Sequence, residues 1–172
     1  MPLDSLYDLL VEELQDIYQA EHQLLNALPK MAAFACAPAL KQALESHVTE
    51  TEDQVGRLEQ VFIELGVTAR GRRCKGMEGL IEEGEDILDE ATDDAILDTA
   101  LIGAVRRIEH YEVAAYDSAA SHAELLGEAR VATLLRTSLE EEQEAGRELW
   151  RIAEAEVNAS AVAAGIEETV EA

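Results

Sequence analysis

The sequence is poor in several residue types, and each shortage excludes a class of protein. It has two cysteines, Cys36 and Cys74, which are too few and too far apart for a disulfide framework. Aromatic residues make up only 4%, whereas β-sheet proteins depend on aromatic and β-branched side chains. Lysine occurs only at Lys30, Lys41 and Lys75, and the net charge is −24. We therefore expect no binding to nucleic acid or to an anionic membrane.

Long apolar runs are also absent, and none reaches the roughly 18 residues that suggest a membrane span. No apolar signal segment begins the chain, so we expect a cytoplasmic protein. A length of 172 residues suits one domain with a sizeable core. We place this domain at residues 1–158, and we expect the acidic, alanine-rich residues 159–172 to form a flexible tail.

Apolar residues recur at spacings of three and four, which predicts amphipathic helices. Ser5 is a good N-cap for the first helix, Pro29 predicts a kink or break late in that helix, and Gly66 predicts the end of the second. A basic loop separates the second helix from a shorter one. The predicted helices are 5–35, 38–66, 77–91, 93–126 and 129–158.

The lengths of the connections predict how the four long helices are arranged. The first and second helices are joined by a short link, and so are the third and fourth, which makes each pair an antiparallel hairpin. The connection between the hairpins is about 26 residues long and contains the shorter helix. Two hairpins joined by one long crossover predict an all-α, ferritin-like four-helix bundle.

Polar residues interrupt the apolar faces of all four long helices near their middles. The first helix has Glu21, the second has His47, Glu50 and Gln54, the third has Glu109 and Glu112, and the fourth has Glu142. An ionised carboxylate in a dry core costs several kcal/mol unless it is compensated, and no basic residue lies at a matching inward position. A pair of metal ions would compensate these acids, and carboxylate and imidazole ligands suit iron or manganese.

Other interpretations of these residues stay open at this point. A glutamate on a helix is usually solvated, and Arg57, Arg106 or Arg107 could pair with one or two of the acids. His47 is a metal ligand, a hydrogen-bonded core residue or a surface residue. Cys74 is expected to be a small buried residue rather than a redox thiol. The metal interpretation depends on the coincidence that every long helix carries an inward-facing acid.

Several segments resemble the YciE/YciF family of ferritin-like stress proteins, often described as ferroxidases. The segments are 16–24 (DIYQAEHQL), 47–54 (HVTETEDQ), 74–80 (CKGMEGL), 109–112 (EHYE) and 139–143 (LEEEQ). The resemblance covers about residues 3 to 157. It implies a bundle, a homodimer and a rubrerythrin-like dinuclear site. The implied ligands are Glu21, Glu50, Glu109, Glu112 and one of Glu141 and Glu142, of which we choose Glu142, together with His47.

The resulting hypothesis is a protein with two iron ions, or manganese, that acts as a ferroxidase or protects against peroxide. Its substrates would be Fe(II) with O₂ or H₂O₂. This sequence departs from the usual ferritin-like pattern, because that pattern places a histidine three residues after a glutamate on the second and fourth helices. One alternative is a non-catalytic dimeric stress or binding protein whose metal is structural or vestigial. Another is an activity like that of manganese catalase.

Overall fold

The computed structural model describes residues 3–91 and 93–170. The described chain is helical and contains no β-strand, which confirms the predicted all-α class. The helices are α1 (Leu6–Phe34), α2 (Pro38–Leu65), α3 (Lys75–Glu90), α4 (Asp94–Leu125), α5 (Ala129–Ile152), a π-helical turn (Ala153–Val157) and α6 (Asn158–Val170).

Capping residues set the ends of these helices as the sequence predicts. The Ser5 hydroxyl accepts a hydrogen bond from the Asp8 N–H, which satisfies one of the free amides at the start of α1. The Asp93 carboxylate caps α4 in the same way. Gly66 follows α2 with φ of 65°, a left-handed conformation that glycine adopts without strain.

Pro29 does not break the first helix. α1 continues through it to Phe34, which contradicts the predicted break, while the predicted kink stays a prediction. The C-terminal part of the chain is not one continuous α-helix. A π-helical turn follows α5, and α6 then continues to Val170. The flexibility expected for residues 159–172 stays a prediction, and residues 171–172 lie outside the described residues.

Contacts between helices place α1 against α2 and α4 against α5, as expected for two hairpins. α2 also packs against α5, and α1 packs against α4, which closes the arrangement. The connection from α2 to α4 contains α3, which lies against α1 and α4. None of the described helices is long and apolar enough to span a membrane.

The interior has two apolar clusters with a polar layer between them. On α1, the first cluster includes Leu24 and Leu28, whereas the second includes Leu10 and Leu14. The other three long helices likewise contribute to both clusters. Most of the buried polar side chains of the four long helices lie between the apolar segments; these are Glu21, His47, Thr51, Gln54, Glu109, Glu112 and Glu142.

Candidate metal centre

The polar layer brings four side chains from three helices close together. They are His47 of α2, Glu109 and Glu112 of α4, and Glu142 of α5, each offering one ligand atom within 4.8 Å of the others. His47 Nε2 lies 3.4 Å from Glu109 Oε1 and 3.8 Å from Glu142 Oε2. This group could hold a metal ion, because imidazole nitrogen and carboxylate oxygen are ordinary ligands of iron and manganese.

Glu109 and Glu112 reach the same site because they are three residues apart on α4, so their side chains share one face. Val105, Ile108 and Tyr116 are buried on that side of the helix, which turns the two carboxylates inward. Both carboxylates are about 1% exposed.

Many polar atoms in this layer have no hydrogen-bond partner. They include both carboxylate oxygens of Glu109 and of Glu112, one oxygen each of Glu21 and Glu142, and His47 Nε2. Buried polar groups are nearly always paired, and an unpaired one costs about 1–3 kcal/mol or more when it is charged. The unpaired atoms lie in one layer, and most are carboxylate oxygens. A cation would satisfy them together, so the donor set fits a metal ion.

Glu21 of α1 lies beside this group and is fully buried. One of its oxygens accepts a hydrogen bond from the Tyr116 hydroxyl, while the other has no partner. Burial, together with repulsion from Glu142, raises the pKa of Glu21 to about 8. Glu21 therefore supplies a carboxylate oxygen on the α1 side of the layer.

Burial also dominates the protonation of the other acids. It raises the pKa of Glu109 well above its usual value even though His47 lies nearby. It also raises the pKa of Glu112 well above its usual value, and repulsion from Glu142 and Glu21 adds to this effect. For His47, burial lowers the pKa, but the carboxylates of Glu109, Glu50 and Glu142 outweigh it and raise the pKa to about 10. Without a cation, Glu21, Glu109 and Glu112 therefore hold their protons more strongly than exposed carboxylic acids do.

Glu50 was predicted to face the interior, and this is wrong. Its side chain is 48% exposed, and Glu50 Oε2 lies 3.3 Å from His47 Nδ1. At about 100° per residue, His47, Thr51 and Gln54 fall within a narrow arc of α2, and Glu50 falls beside that arc. α2 thus presents a histidine and an amide to the interior. That Glu50 binds a metal stays a prediction.

The structure separates the two candidate acids of α5. Glu142 is buried in the layer, where it accepts a hydrogen bond from the Gln54 amide. Glu141 instead forms an ion pair with Arg57 at 2.8 Å. Our choice of Glu142 therefore matches its position in the interior, and one of the arginines considered as a neutralising partner pairs with Glu141 outside the group of four.

Three contacts of this region were not predicted. Spacing on α2 and α5 gave no sign that the amide of Gln54 would donate to Glu142. Cys74 is buried, as predicted, but its sulfur also contacts Asp16 and the Tyr111 hydroxyl, at 3.2 and 2.9 Å. These contacts attach the start of α3 to α1 and α4.

The fold and the layer define an all-helical protein with a buried histidine–glutamate cluster suited to a metal ion. Residues 5–162 match the family described as Domain of unknown function (DUF892), and the chain belongs to this family. It is 37% identical to Protein YciF of Escherichia coli over 162 residues, which are 94% of this chain and 98% of YciF. The resemblance to the YciE/YciF family is thereby confirmed.

Solved structures agree with this assignment. The crystal structure of the Escherichia coli stress protein YciF matches with a TM-score of 0.87 and 36% identity, covering 90% of this chain and 98% of YciF. YcfI of Rhodopseudomonas palustris, which its description assigns provisionally to a structural role, matches with a TM-score of 0.84 and 40% identity. That match covers 86% of this chain and 94% of YcfI.

Proposed function

We propose that this protein is a ferritin-like four-helix bundle whose polar layer binds two iron ions and oxidises Fe(II) with O₂ or H₂O₂. The observation that carries the proposal is the set of six unpartnered carboxylate oxygens from Glu21, Glu109, Glu112 and Glu142 in one buried layer. Without metal these oxygens only destabilise the fold, so a binding role accounts for their burial.

The group of four would hold one cation through His47, Glu109, Glu112 and Glu142. Glu21 on the α1 side and Glu50 beside His47 would supply the further carboxylates that a second cation needs. Tyr116 and Gln54 would orient Glu21 and Glu142 through their hydrogen bonds. Iron supplies the redox chemistry when bound, and the chain supplies ligand geometry, negative charge and exclusion of water.

Metal binding by the wild-type protein is the first test. We expect about two equivalents of iron per chain by elemental analysis of protein purified without chelator. Fe(II) or Mn(II) added without oxygen should raise the melting temperature, because a ligand present at about 100 times its Kd stabilises the native state by about 2.7 kcal/mol.

Oxidation of Fe(II) is the second test. The wild-type protein should oxidise it faster than buffer does, and Glu109→Ala/Glu112→Ala should lose at least about 90% of this excess rate, since it removes four of the six unpartnered oxygens. The matched control is Glu45→Ala/Glu52→Ala, which removes two exposed acids of α2 and should keep the wild-type rate. A full rate in the interior double variant would contradict the site.

A non-catalytic role is the second candidate, supported by the structural role provisionally assigned to YcfI. A wild-type protein that binds no transition metal and shows no change in melting temperature with iron or manganese would favour it. The third candidate is an activity like that of manganese catalase. Manganese at the site together with catalase activity, but without Fe(II) oxidation, would favour it. In each case we propose a homodimer, which sedimentation velocity would test.

A further inference from the structure

A cavity of about 720 Å³ opens between α2, α4 and α5 and leads to the polar layer. His47 and Glu109 line it, and both are more than nine-tenths buried with unpartnered atoms. The cavity, called the access cavity below, therefore connects solvent with two members of the group of four.

The outer part of the access cavity is acidic. Five glutamates line it: Glu50, Glu140, Glu141, Glu144 and Glu148. Among the described residues, no lysine or arginine lines it. Arginines outside the cavity pair with Glu141, Glu144 and Glu148. Glu140 forms no ion pair in the part of the chain that is described, whereas Glu50 contacts His47, so Glu140 carries the least compensated charge of the rim.

A second opening reaches Glu109 from the other side of α5, and three arginines contribute to its lining. This cavity, of about 410 Å³, is lined by Glu109 and Glu142 together with Arg106, Arg147 and Arg151. The Arg106 guanidinium lies 4.6 Å from the centre of the Trp150 ring, which holds it at the opening. Arg147 and Arg151 pair with Glu144 and Glu148, and Arg106 forms no ion pair among the described residues. A cation is therefore attracted more strongly to the acidic opening than to this basic opening.

The contacts of His47 mark a path from the acidic rim to the interior. Its Nδ1 lies 3.3 Å from Glu50 Oε2, and its Nε2 lies 3.4 Å from Glu109 Oε1. The imidazole thus lies between a half-exposed carboxylate and a buried one. Glu50, His47 and Glu109 thus form a continuous row of possible ligands along the cavity.

We propose that the access cavity is the route by which a divalent cation reaches the polar layer, with Glu140 and Glu50 attracting it at the rim. This inference rests on the proposed metal site and adds the direction of loading. Rim charges act mainly on the rate of association, whereas ligands act on affinity. The two roles can therefore be separated by measuring both quantities.

The experiment measures Co(II) binding to the metal-free full-length protein by stopped-flow absorbance and by calorimetry. Glu140→Lys should lower the association rate constant about three- to tenfold at low salt, with a smaller change in Kd. The effect should shrink at high ionic strength. Glu45→Lys is the matched control, because Glu45 is exposed on α2 but does not line the cavity, and it should load at nearly the wild-type rate.

A variant that narrows the cavity tests the access route independently of charge. Ala145 lines the cavity, so Ala145→Phe should slow binding and release together and leave Kd unchanged. Wild-type rates of Co(II) association in both Glu140→Lys and Ala145→Phe would overturn the access route and leave the metal site intact. Equal slowing in Glu45→Lys and Glu140→Lys would have the same consequence. A wild-type protein that binds no Co(II) would overturn the proposed function and this route with it.

Discussion

Single side chains in the polar layer make the stability of the metal-free protein depend on pH. Glu21 has a pKa of about 8 in the folded protein against a usual value of 4.5, and His47 has about 10 against 6.5. Both folded-state values are raised. Their contributions to stability are therefore complete below the usual values and are lost as pH rises through the folded ones.

We therefore expect the metal-free protein to lose stability as pH rises, through Glu21 between about 4.5 and 8 and through His47 between about 6.5 and 10. Thermal unfolding from pH 6 to 9, at constant ionic strength and with chelator, checks this. Glu21→Gln cannot ionise and should lose less stability over the same range. An unchanged melting temperature in the wild-type protein would contradict the burial of these groups.

At the scale of elements, the position of α3 depends on a close approach between helices. A Cβ atom at Gly76, near the start of α3, would lie 2.7 Å from the ring of Tyr111 on α4. Tyr111 also contacts Cys74 and donates a hydrogen bond to Asp16 at 2.9 Å. An added methyl group at Gly76 would thus displace a residue that joins α1, α3 and α4.

We expect Gly76→Ala to lower the free energy of unfolding by about 1–3 kcal/mol, the usual effect of overpacking. Gly79→Ala is the matched control, since no atom lies within 4 Å of a Cβ there. It should raise stability by about 0.5–1 kcal/mol through helix propensity. Urea unfolding measures both, and a Gly76→Ala protein as stable as Gly79→Ala would show that the contact is not constrained.

For the whole molecule, the net charge of −24 is the dominant long-range electrostatic contribution to stability. Self-repulsion destabilises a compact chain, and salt weakens it, because the Debye length falls from about 10 Å at 0.1 M to about 3 Å at 1 M. We expect the melting temperature to rise with NaCl over this range. The basic opening and the surface ion pairs are too few to reverse the sign, and a fall in melting temperature would contradict this reasoning.

The sequence alone determined the helices, their caps and the acids that interrupt them, because helical periodicity and capping are local properties. It also identified Glu21, Glu109 and Glu112 as interior residues, since each lies among apolar residues at helical spacing, and it favoured Glu142 over Glu141 without excluding Glu141. Membership of the family followed from short segments, and the comparisons confirm it.

Only the tertiary structure decided how the layer is completed. Glu50 lies at the edge of the inner face of α2, and which side of that edge is buried depends on how α2 packs against α5. The choice between Glu141 and Glu142 depended on Arg57, which is distant in sequence and forms an ion pair with Glu141. The acidic opening and the arginine-lined opening are likewise formed by side chains from different helices. None of these features could be derived from the spacing within one helix, because each depends on how two helices are rotated relative to each other.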